Sequence, residues 1–170
     1  NPVPFKVLDA DDISRVNLGQ DVPVILSMTP SVNITSDAGN GIGYTGMSIR
    51  GSDGSRINVT INGVPLNDSE SHATYWVDLP DFASSISSIQ IQRGVGTSTN
   101  GAGAFGGSIN VSTQKQSQGP KFKLSNSFGS YGTLKNSISF TTGTVGKYFE
   151  LSGNISKIYS DGYIDRASSN

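Results

Sequence analysis

Residues 56–66 read Arg56-Ile57-Asn58-Val59-Thr60-Ile61-Asn62-Gly63-Val64-Pro65-Leu66, a stretch that carries the signal of a β-hairpin. Apolar and polar residues alternate up to Ile61, as in a strand with one buried face. Asn62-Gly63 then supplies the two positive φ angles of a tight turn, and the next three residues begin the return strand. This stretch predicts a fold that is rich in β structure.

Shorter strands are predicted on both sides of this hairpin. Apolar runs typical of strands occupy residues 5–8, 47–50, 89–93 and 108–112, with many Gly, Asn and Ser residues between them. Two short helices are predicted near the start. One begins with the acidic pair at Asp11, and the other follows Asp21, with Pro23 in its first turn and Pro30 after its end. Residues 1–114 are therefore predicted to form an α+β domain with a mixed small sheet, short helices and long loops.

The pattern changes after Gln114. Residues 115–120 are polar and predict a linker, and residues 121–170 contain three predicted antiparallel strands of about ten residues each. In every one of these strands the apolar residues share one face, while Lys, Ser, Thr and Asn share the other. The apolar sets are Phe122, Leu124 and Phe128, then Leu134, Ile138 and Phe140, then Phe149, Leu151, Ile155 and Tyr159.

Two interpretations of these three strands stay open. A soluble antiparallel sheet also has one apolar face, which packs on a core. A transmembrane β-barrel turns its apolar face outward and has a polar lumen, which fits strands of this length better. Three strands do not close a barrel, so on the second interpretation the barrel is truncated and further strands are expected after Asn170.

The composition excludes several classes of function. The chain has 170 residues and a formal net charge of −1, with Lys and Arg scattered, so nucleic acid is not an expected partner. It has no Cys, which excludes disulfides, thiolate metal sites and cysteine nucleophiles. No apolar run reaches the roughly 18 residues of a membrane-spanning helix. The sequence begins at Asn1 without a basic or apolar leader, so any targeting signal is expected upstream.

Two glycine motifs match a nucleotide-binding pattern but lack its context. Residues 41–46 and 101–106 both read G-x-G-x-x-G. Phosphate binding requires the last Gly to open a helix, whereas a strand is predicted after each match. We therefore expect no nucleotide and no other cofactor.

His72 is the single histidine and lies in an acidic loop with Asp68 and Glu70. One His and two carboxylates leave a metal incompletely coordinated, so we favour a solvated loop that touches a ligand and expect no metal site. No Ser-His-Asp arrangement with a nucleophile elbow occurs, and no carboxylate pair has a recognisable catalytic spacing. We expect no catalytic residues and no enzyme activity.

Arg50 and Arg93 each end an apolar strand and precede a Gly. At such a position a guanidinium either reaches solvent or enters an enclosed site, where it needs carboxylate partners. The spacing alone leaves both interpretations open.

Four strings occur in an order and at spacings that resemble the plug of TonB-dependent outer-membrane receptors. They are Ser48-Ile49-Arg50-Gly51, Asn62-Gly63-Val64-Pro65, Ile91-Gln92-Arg93-Gly94 and Gly106-Gly107-Ser108-Ile109-Asn110-Val111. The resemblance covers nearly all of residues 1–114, and residues 121–163 are similar to the start of that family's barrel. It implies a barrel of about 22 strands whose lumen is filled by the plug.

The resemblance also implies partners and residue roles. Such receptors lie in the outer membrane of Gram-negative bacteria and import a scarce nutrient such as an iron-siderophore, cobalamin, haem or a glycan. The periplasmic protein TonB pulls on a segment that is expected upstream of Asn1. Outer-membrane lipid and a surface lipoprotein are the other implied partners. Arg50 and Arg93 match the family arginines that anchor the plug to barrel-wall glutamates, which are expected after Asn170.

Three loops of the plug are expected to face outward, at residues 37–46, 52–56 and 67–76. Aromatic rings and a few polar groups suit a concave binding site. On this basis ligand contact is predicted for Tyr44, Arg56, His72, Tyr75 and Trp76.

Two rival functions carry different expectations. A soluble β-rich module that binds a ligand or a glycan predicts a secreted product that ends near residue 170. An enzyme of unknown type predicts activity without membrane coupling. Many further alternating segments of about ten residues downstream would favour the receptor over both rivals.

Overall fold

The computed structural model describes residues 5–95, 104–113, 117, 119–146 and 148–163. The helices within these ranges are α1 (Ala10–Val16) and α2 (Val22–Leu26). The strands are β1 (Phe5–Asp9), β2 (Val32–Ser36), β3 (Thr45–Ile49), β4 (Ile57–Ile61), β5 (Val64–Pro65), β6 (Ile86–Arg93), β7 (Gly107–Thr113), β8 (Lys121–Phe128), β9 (Leu134–Val145) and β10 (Phe149–Tyr159). Short 3-10 segments lie at Gly54–Arg56, Trp76–Asp78 and Phe82–Ser85. In this part of the chain, both helices are too short to cross a membrane.

Five strands form a mixed sheet in the order β1-β6-β7-β4-β5. β4 and β7 run parallel, whereas the other neighbouring pairs are antiparallel. A parallel pair needs a long crossover connection, and the chain between β4 and β7 provides it. The predicted α+β domain with a small mixed sheet and short helices is confirmed.

The core is built on one face of this sheet. Inward residues alternate along the three central strands, and they are Ile57, Val59, Ile89, Ile91, Ile109 and Val111. Ile13 of α1 and Leu26 of α2 join the same buried cluster. Burial of each such side chain stabilises the fold by about 1.5–3 kcal/mol relative to exposure. The domain is therefore held by the apolar alternation that predicted its strands.

Two positions in this sheet depend on glycine. Asn62 and Gly63 have φ angles of 51° and 83°, as expected for the tight turn between β4 and β5. At Gly107, which begins β7, a Cβ atom would lie 2.7 Å from the carbonyl oxygen of Gln92 on β6. A residue with no side chain is therefore needed where these two strands approach.

Residues 31–54 hold one strand more than predicted. The sequence predicted a single strand among loops, whereas β2 and β3 pair as a separate antiparallel sheet. Val32 and Met47 turn into the core, while Asn33 and Thr35 face outward. The apolar alternation of β2 is only five residues long and adjoins a segment rich in Gly and Ser, which explains why it was missed.

Strands β8, β9 and β10 form an antiparallel sheet of their own, which confirms the three predicted strands. Its register aligns apolar residues in rows across one face, such as Leu124 with Ile138 and Ile138 with Ile155. This face is open, because Phe122 is 71% exposed, Ile155 71% and Phe149 77%. The three-stranded sheet therefore presents a mainly apolar surface, crossed by one polar row, away from the rest of the chain.

Within the same face, Phe140 of β9 covers Gly153 of β10. The two residues are cross-strand partners, and a Cβ atom at Gly153 would lie 2.9 Å from two ring carbons of Phe140. The ring thus shields a backbone position that has no side chain of its own.

Two sequence features lie partly outside the described residues. Residues 41–46 lead into β3, as predicted, and offer no helix for phosphate binding. The second glycine motif and the predicted linker each include three residues that the structure does not describe. The boundary between the two parts of the chain therefore stays a prediction.

Candidate functional site

A buried ion pair joins the three-stranded sheet to the five-stranded domain. The Lys135 ammonium on β9 donates a hydrogen bond to the Asp81 carboxylate, and the two side chains are only 4% and 2% exposed. Lys135 Nζ also donates to Ser84 Oγ at 2.9 Å and to Asn17 Oδ1 at 3.4 Å. Asp81 Oδ2 is buried and has no hydrogen-bond partner among the described residues. Lys135 therefore links the three-stranded sheet to three residues of the five-stranded domain.

Further contacts lie at the same end of the sheet. Gly19 packs under β10, where a Cβ atom would lie 2.8 Å from Ile158 Cδ1. After β10, Tyr163 N donates to the carbonyl oxygen of Ala38 at 3.3 Å. The Tyr163 ring packs edge-to-face on Tyr131, with the ring centroids 5.3 Å apart. The loop at residues 37–46 therefore lies beside the segment that follows β10, near the turn between β8 and β9.

A cavity of about 270 Å³ lies between the β2–β3 sheet, β4 and the segment before β6. Its lining residues are Asn33, Thr35, Gly46, Met47, Ser48, Gly54, Ile57, Val59, Ala73, Thr74 and Trp76. All eleven are uncharged, so this is a neutral pocket with both polar and apolar groups.

The loop at residues 67–76 is held in a defined shape beside this cavity. Asn67 Oδ1 accepts from Val59 N at 2.7 Å, and Asn67 Nδ2 donates to the carbonyl oxygen of Ile57 at 2.8 Å. Asp68 Oδ1 accepts from Ser71 N at 2.7 Å, and this bond is the main cause of a lowered pKa at Asp68. The loop is thus fastened to β4 and folded around an ionised carboxylate.

Asp21 fastens the loop at residues 37–46. The residue is 3% exposed, its backbone N–H donates to Gly41 O at 2.8 Å, and its Oδ2 accepts from Thr45 Oγ1 at 2.9 Å. Burial raises the pKa of Asp21 to about 6, against hydrogen bonds that lower it. The ordinary carboxylate value is 3.8, so this group titrates nearer to neutrality than an exposed aspartate.

The five predicted ligand-contact residues differ in exposure. Tyr44 is 68% and Tyr75 50% exposed, and Arg56 and His72 are also exposed. Trp76 is only 3% exposed, so it belongs to the core and lines the cavity instead of standing out from a loop. Each of the other four lies within two positions of a lining residue. Trp76 alone of the five lines the cavity, and the ligand contacts of all five stay a prediction.

The two predicted anchoring arginines have different surroundings. Arg50 is exposed and lies with Gly51 in a tight turn, where their φ angles are 51° and 78°. Arg93 is half-buried, and its Nη1 donates to the carbonyl oxygen of Pro30 at 3.3 Å. Arg93 Nε is buried and has no hydrogen-bond partner within the described ranges. The proposed anchoring role of both residues stays a prediction.

Sequence reasoning did not identify Lys135 and Asp81. Lys135 was assigned to the polar face of its strand, which is correct, but the pattern carries no information on what that face contacts. Asp81 lies in the left-handed region, with φ at 50°, which is uncommon for a residue other than Gly, although Asp adopts it more readily than most. Nothing in the sequence around Asp81 signals that conformation. No group of three or more His, Asp or Glu suited to a metal occurs in the described ranges.

The family of this chain is established by the match to its first 108 residues, which include most of the five-stranded sheet. A family model for the TonB-dependent receptor plug domain matches residues 1–108. The chain belongs to the TonB-dependent receptor plug family. The plug match ends within β7, so it contains the cavity, the loops around it and Asp81, while Lys135 lies beyond it.

Solved TonB-dependent receptors share the fold of the whole chain. The ferric yersiniabactin uptake receptor FyuA from Yersinia pestis is 18% identical with a TM-score of 0.64, covering 94% of this chain and 24% of that chain. The receptor FpvA of P. aeruginosa, solved with a bound pyoverdine-iron complex, is 15% identical with a TM-score of 0.74, covering 94% and 20%. The copper transporter OprC is 20% identical with a TM-score of 0.73, covering 97% and 26%.

These similarities extend past the plug. They cover more than nine-tenths of this chain, so they include strands β8 to β10. The chain spans about a quarter of the length of the solved receptors that it matches. At these levels of identity the likeness establishes the fold: a plug followed by three antiparallel strands of a barrel that is not closed within this chain.

Proposed function

We propose that this chain is the plug and first barrel strands of an outer-membrane receptor that imports a scarce nutrient into a Gram-negative cell. In this proposal β8 to β10 form part of the barrel wall, and the plug fills the lumen until transport is energised. The periplasmic protein TonB supplies the energy through a segment outside this chain. The family is one of receptors and not of enzymes, and we propose no catalytic activity for the chain.

One observation carries the proposal: the three-stranded sheet has its apolar face exposed, while its polar face contacts the plug through the buried Lys135. In a soluble protein the apolar face of a sheet packs on the core and the polar face meets water. Here Lys135 on the polar face is buried against the plug and Ser137 beside it is also buried, while Phe122 and Ile155 on the other face are exposed. This inverted arrangement suits a wall with lipid outside and a plug inside. It also disfavours the soluble binding module.

One row of the outer face is polar. Asn126, Asn136 and Lys157 are cross-strand neighbours between two apolar rows. The row lies one step from the end of the sheet, which Phe128 and Tyr159 mark. A lysine near the membrane interface costs about 0–1 kcal/mol, whereas at the midplane it costs about 2–4 kcal/mol. We therefore place this end of the sheet at the membrane interface.

Within the receptor, we propose residues 1–114 as plug, 115–120 as linker and 121–170 as the first barrel strands. Exposed Tyr44, Arg56, His72 and Tyr75 lie in three plug loops and are proposed to touch the ligand, with Trp76 contributing from within the cavity. The half-buried Arg93 supports the proposed anchoring role, because a buried guanidinium nitrogen without a partner suits a carboxylate from further wall strands. Arg50 is proposed to act with it.

The proposed cargo is a scarce nutrient such as an iron-siderophore, cobalamin, haem or a glycan. The similar receptors named above are described with ferric yersiniabactin, pyoverdine and copper, so metal uptake is well represented among proteins of this fold. Outer-membrane lipid is the proposed surrounding of β8 to β10, and a surface lipoprotein is a further proposed partner. Nucleic acid is not a proposed partner, since the net charge is −1.

Lipid contact of the outer face tests the proposal directly. A single fluorophore can be attached at Ile155→Cys or at its neighbour Ser156→Cys in the complete gene product, with any cysteine outside these 170 residues replaced, since the chain itself has none. Brominated lipid should quench the label at position 155 and leave the label at position 156 bright. Cell fractionation should place the product in the outer membrane. A product found in the soluble fraction, or equal quenching at both positions, would contradict the proposal.

A further inference from the structure

The polar face of the three-stranded sheet meets the five-stranded domain at one end. Lys135 of β9 and Ile158 of β10 are cross-strand partners in the row that makes this contact. Lys135 donates to Asp81, and Ile158 lies against Gly19. Ser137, two positions further along β9 on the same face, is also buried, with 8% exposure. The gap between the sheet and the plug is therefore closed at this end.

A second contact lies at the opposite end of the same face. The backbone N–H of Ser117 donates to Glu150 Oε1 at 3.2 Å. Gly119 packs against Gly143 of β9, where a Cβ atom would lie 2.6 Å from the Gly119 carbonyl carbon. Ser117 and Gly119 follow β7 in the chain. This contact is therefore made by the segment between the two sheets and not by the five-stranded domain.

Between these two contacts, the polar face carries hydroxyl, amide and ammonium groups. Lys123, Ser139 and Asn154 form one row across the three strands. Lys123 and Asn154 are exposed, and Ser139 is half-buried. Within the described ranges, none of these three side chains has a hydrogen bond or an ion pair to the plug. From Lys135 to Thr141 the strand rises about 20 Å, so the uncovered band is long.

Lys123 indicates that this band keeps its water inside a closed barrel. In the proposed receptor, the polar face of β8 to β10 lies inside the wall together with the plug. An ammonium group without a carboxylate partner is costly to remove from water. Hydroxyl and amide groups without protein partners also require water. The space between the plug and this part of the wall is therefore filled with water and not with packed side chains.

We propose that polar solutes pass along this band, between the plug and the wall, and that the contact of Lys135 with Asp81 closes the passage at one end. The inference rests on the proposed function, since it requires β8 to β10 to be barrel wall. The passage suits hydrated molecules, because the row of Lys123, Ser139 and Asn154 offers polar groups and no apolar side chain. Lys135 is thus a gating residue, which acts by holding the plug against the wall.

Thiol labelling in lipid nanodiscs tests for water in the passage. The complete gene product carries one engineered cysteine, and the probe is the anionic reagent sodium (2-sulfonatoethyl) methanethiosulfonate, which reacts with thiolates in water. Asn154→Cys should react at least about tenfold faster than Ser137→Cys, because position 154 is exposed and position 137 is buried beside the closed end. Ile155→Cys, on the apolar face, should also react slowly.

Solute flux tests the closed end. The measurement is the swelling of proteoliposomes in isotonic L-arabinose, a neutral polar solute. Lys135→Met should raise the flux at least about fivefold, because it removes the cation that holds Asp81 to the wall. Asp81→Asn breaks the same pair from the plug side and should also raise the flux, so the result does not depend on one variant. Lys157→Met, on the outer face of β10, is the control and should leave the flux unchanged.

A blocking experiment separates a passage along this face from general unfolding of the plug. In the Lys135→Met background, biotin-maleimide attached at Asn154→Cys should remove most of the added flux, because the attached group fills the passage. The same group at Ile155→Cys points toward lipid and should leave the added flux in place. An unfolded plug would open the whole wide lumen, and one modified side chain would not block it.

Three results would overturn the inference. They are equal labelling at positions 154 and 137, an absence of added flux in both variants of the ion pair, or added flux that persists after modification at position 154. Outer-membrane location and lipid quenching at position 155 do not depend on an open passage. Failure of the passage is therefore distinguishable from failure of the proposed receptor function.

Discussion

Lys135 of β9 and Asp81 of the plug form an ion pair that is almost completely shielded from water. The two residues are 54 positions apart in the chain, and Asn17, a further partner of Lys135, is 118 positions away. Charges buried in this way are expensive to separate, since either one alone keeps its desolvation cost without its partner. The pair therefore fixes the first wall strands on a defined part of the plug.

Loss of the lysine charge should loosen the plug. In the complete gene product, Lys135→Met should lower the free energy of plug unfolding by about 3–5 kcal/mol, because Asp81 stays buried without a cation. The double variant with Asp81→Asn should recover most of this loss. Urea unfolding in lipid vesicles would measure both effects. Lys123→Met is the control, since this lysine is exposed on β8, and a similar loss there would contradict the prediction.

Asp21 should make the plug less stable as pH rises. Its pKa is about 6 in the folded plug and near 3.8 when unfolded, so between these values the folded state binds more protons. Linkage then requires stability to fall from about pH 4 to pH 7, by at most about 3 kcal/mol for a shift of about two units. Asp21→Asn should abolish this fall and raise stability at pH 7.

The unfolding free energy measured by urea at several pH values would test the role of Asp21. Asp37→Asn, an exposed carboxylate in the adjoining loop, should leave the fall in place. If Asp21→Asn kept the pH dependence of the parent protein, the buried carboxylate would not be its source.

Two glycines should respond differently to alanine. At Gly107 the added Cβ would meet the carbonyl oxygen of Gln92 at 2.7 Å, so β6 and β7 would have to separate. At Gly54 the nearest backbone atom, the Met47 oxygen, lies at 3.8 Å, which is ordinary contact. Gly107→Ala should destabilise the plug by about 1–3 kcal/mol and Gly54→Ala by less than about 0.5 kcal/mol. Thermal unfolding of the two variants would decide, and equal melting temperatures would refute the prediction.

The shielding of Gly153 by Phe140 should appear as an energetic coupling. Gly153→Ala would displace the ring, so Phe140→Ala should cost up to about 1 kcal/mol in the parent protein and almost nothing after Gly153→Ala. Phe128→Ala, on the same face but over no glycine, should cost the same in both backgrounds. A double-mutant cycle on unfolding free energies measures the coupling, and full additivity would exclude it.

Much of the fold was predictable because its strands follow simple alternation. Ile89 and Ile91, or Ile109 and Val111, fall two apart between polar residues, and the structure buries all four. The strands β8 to β10 show the same regularity, which predicted their two faces. β2 escaped prediction because it has only Val32 and Ile34 as apolar signals. The parallel pairing of β4 with β7 depends on tertiary packing, which local patterns do not encode.

The candidate site was less predictable than the fold. Loop composition located the exposed loops that carry Tyr44 and Tyr75 between strands, and their ligand contact stays a prediction. The prediction that Trp76 lies in an outward-facing loop was wrong. The sequence around this residue does not reveal that the 3-10 segment turns its ring into the core. The Lys135–Asp81 pair depends on a contact between distant parts of the chain, which no spacing rule anticipates.

The central position of β7 has a consequence for the order of assembly. This strand comes last among the five in the chain, yet β6 and β4 both hydrogen-bond to it. Until residues 107–113 are available, β4 has only the two-residue β5 beside it. Pairings between such distant segments make folding slow. The plug sheet is thus completed by the segment just ahead of the three-stranded sheet, so synthesis that stalls earlier leaves a plug that lacks its central strand.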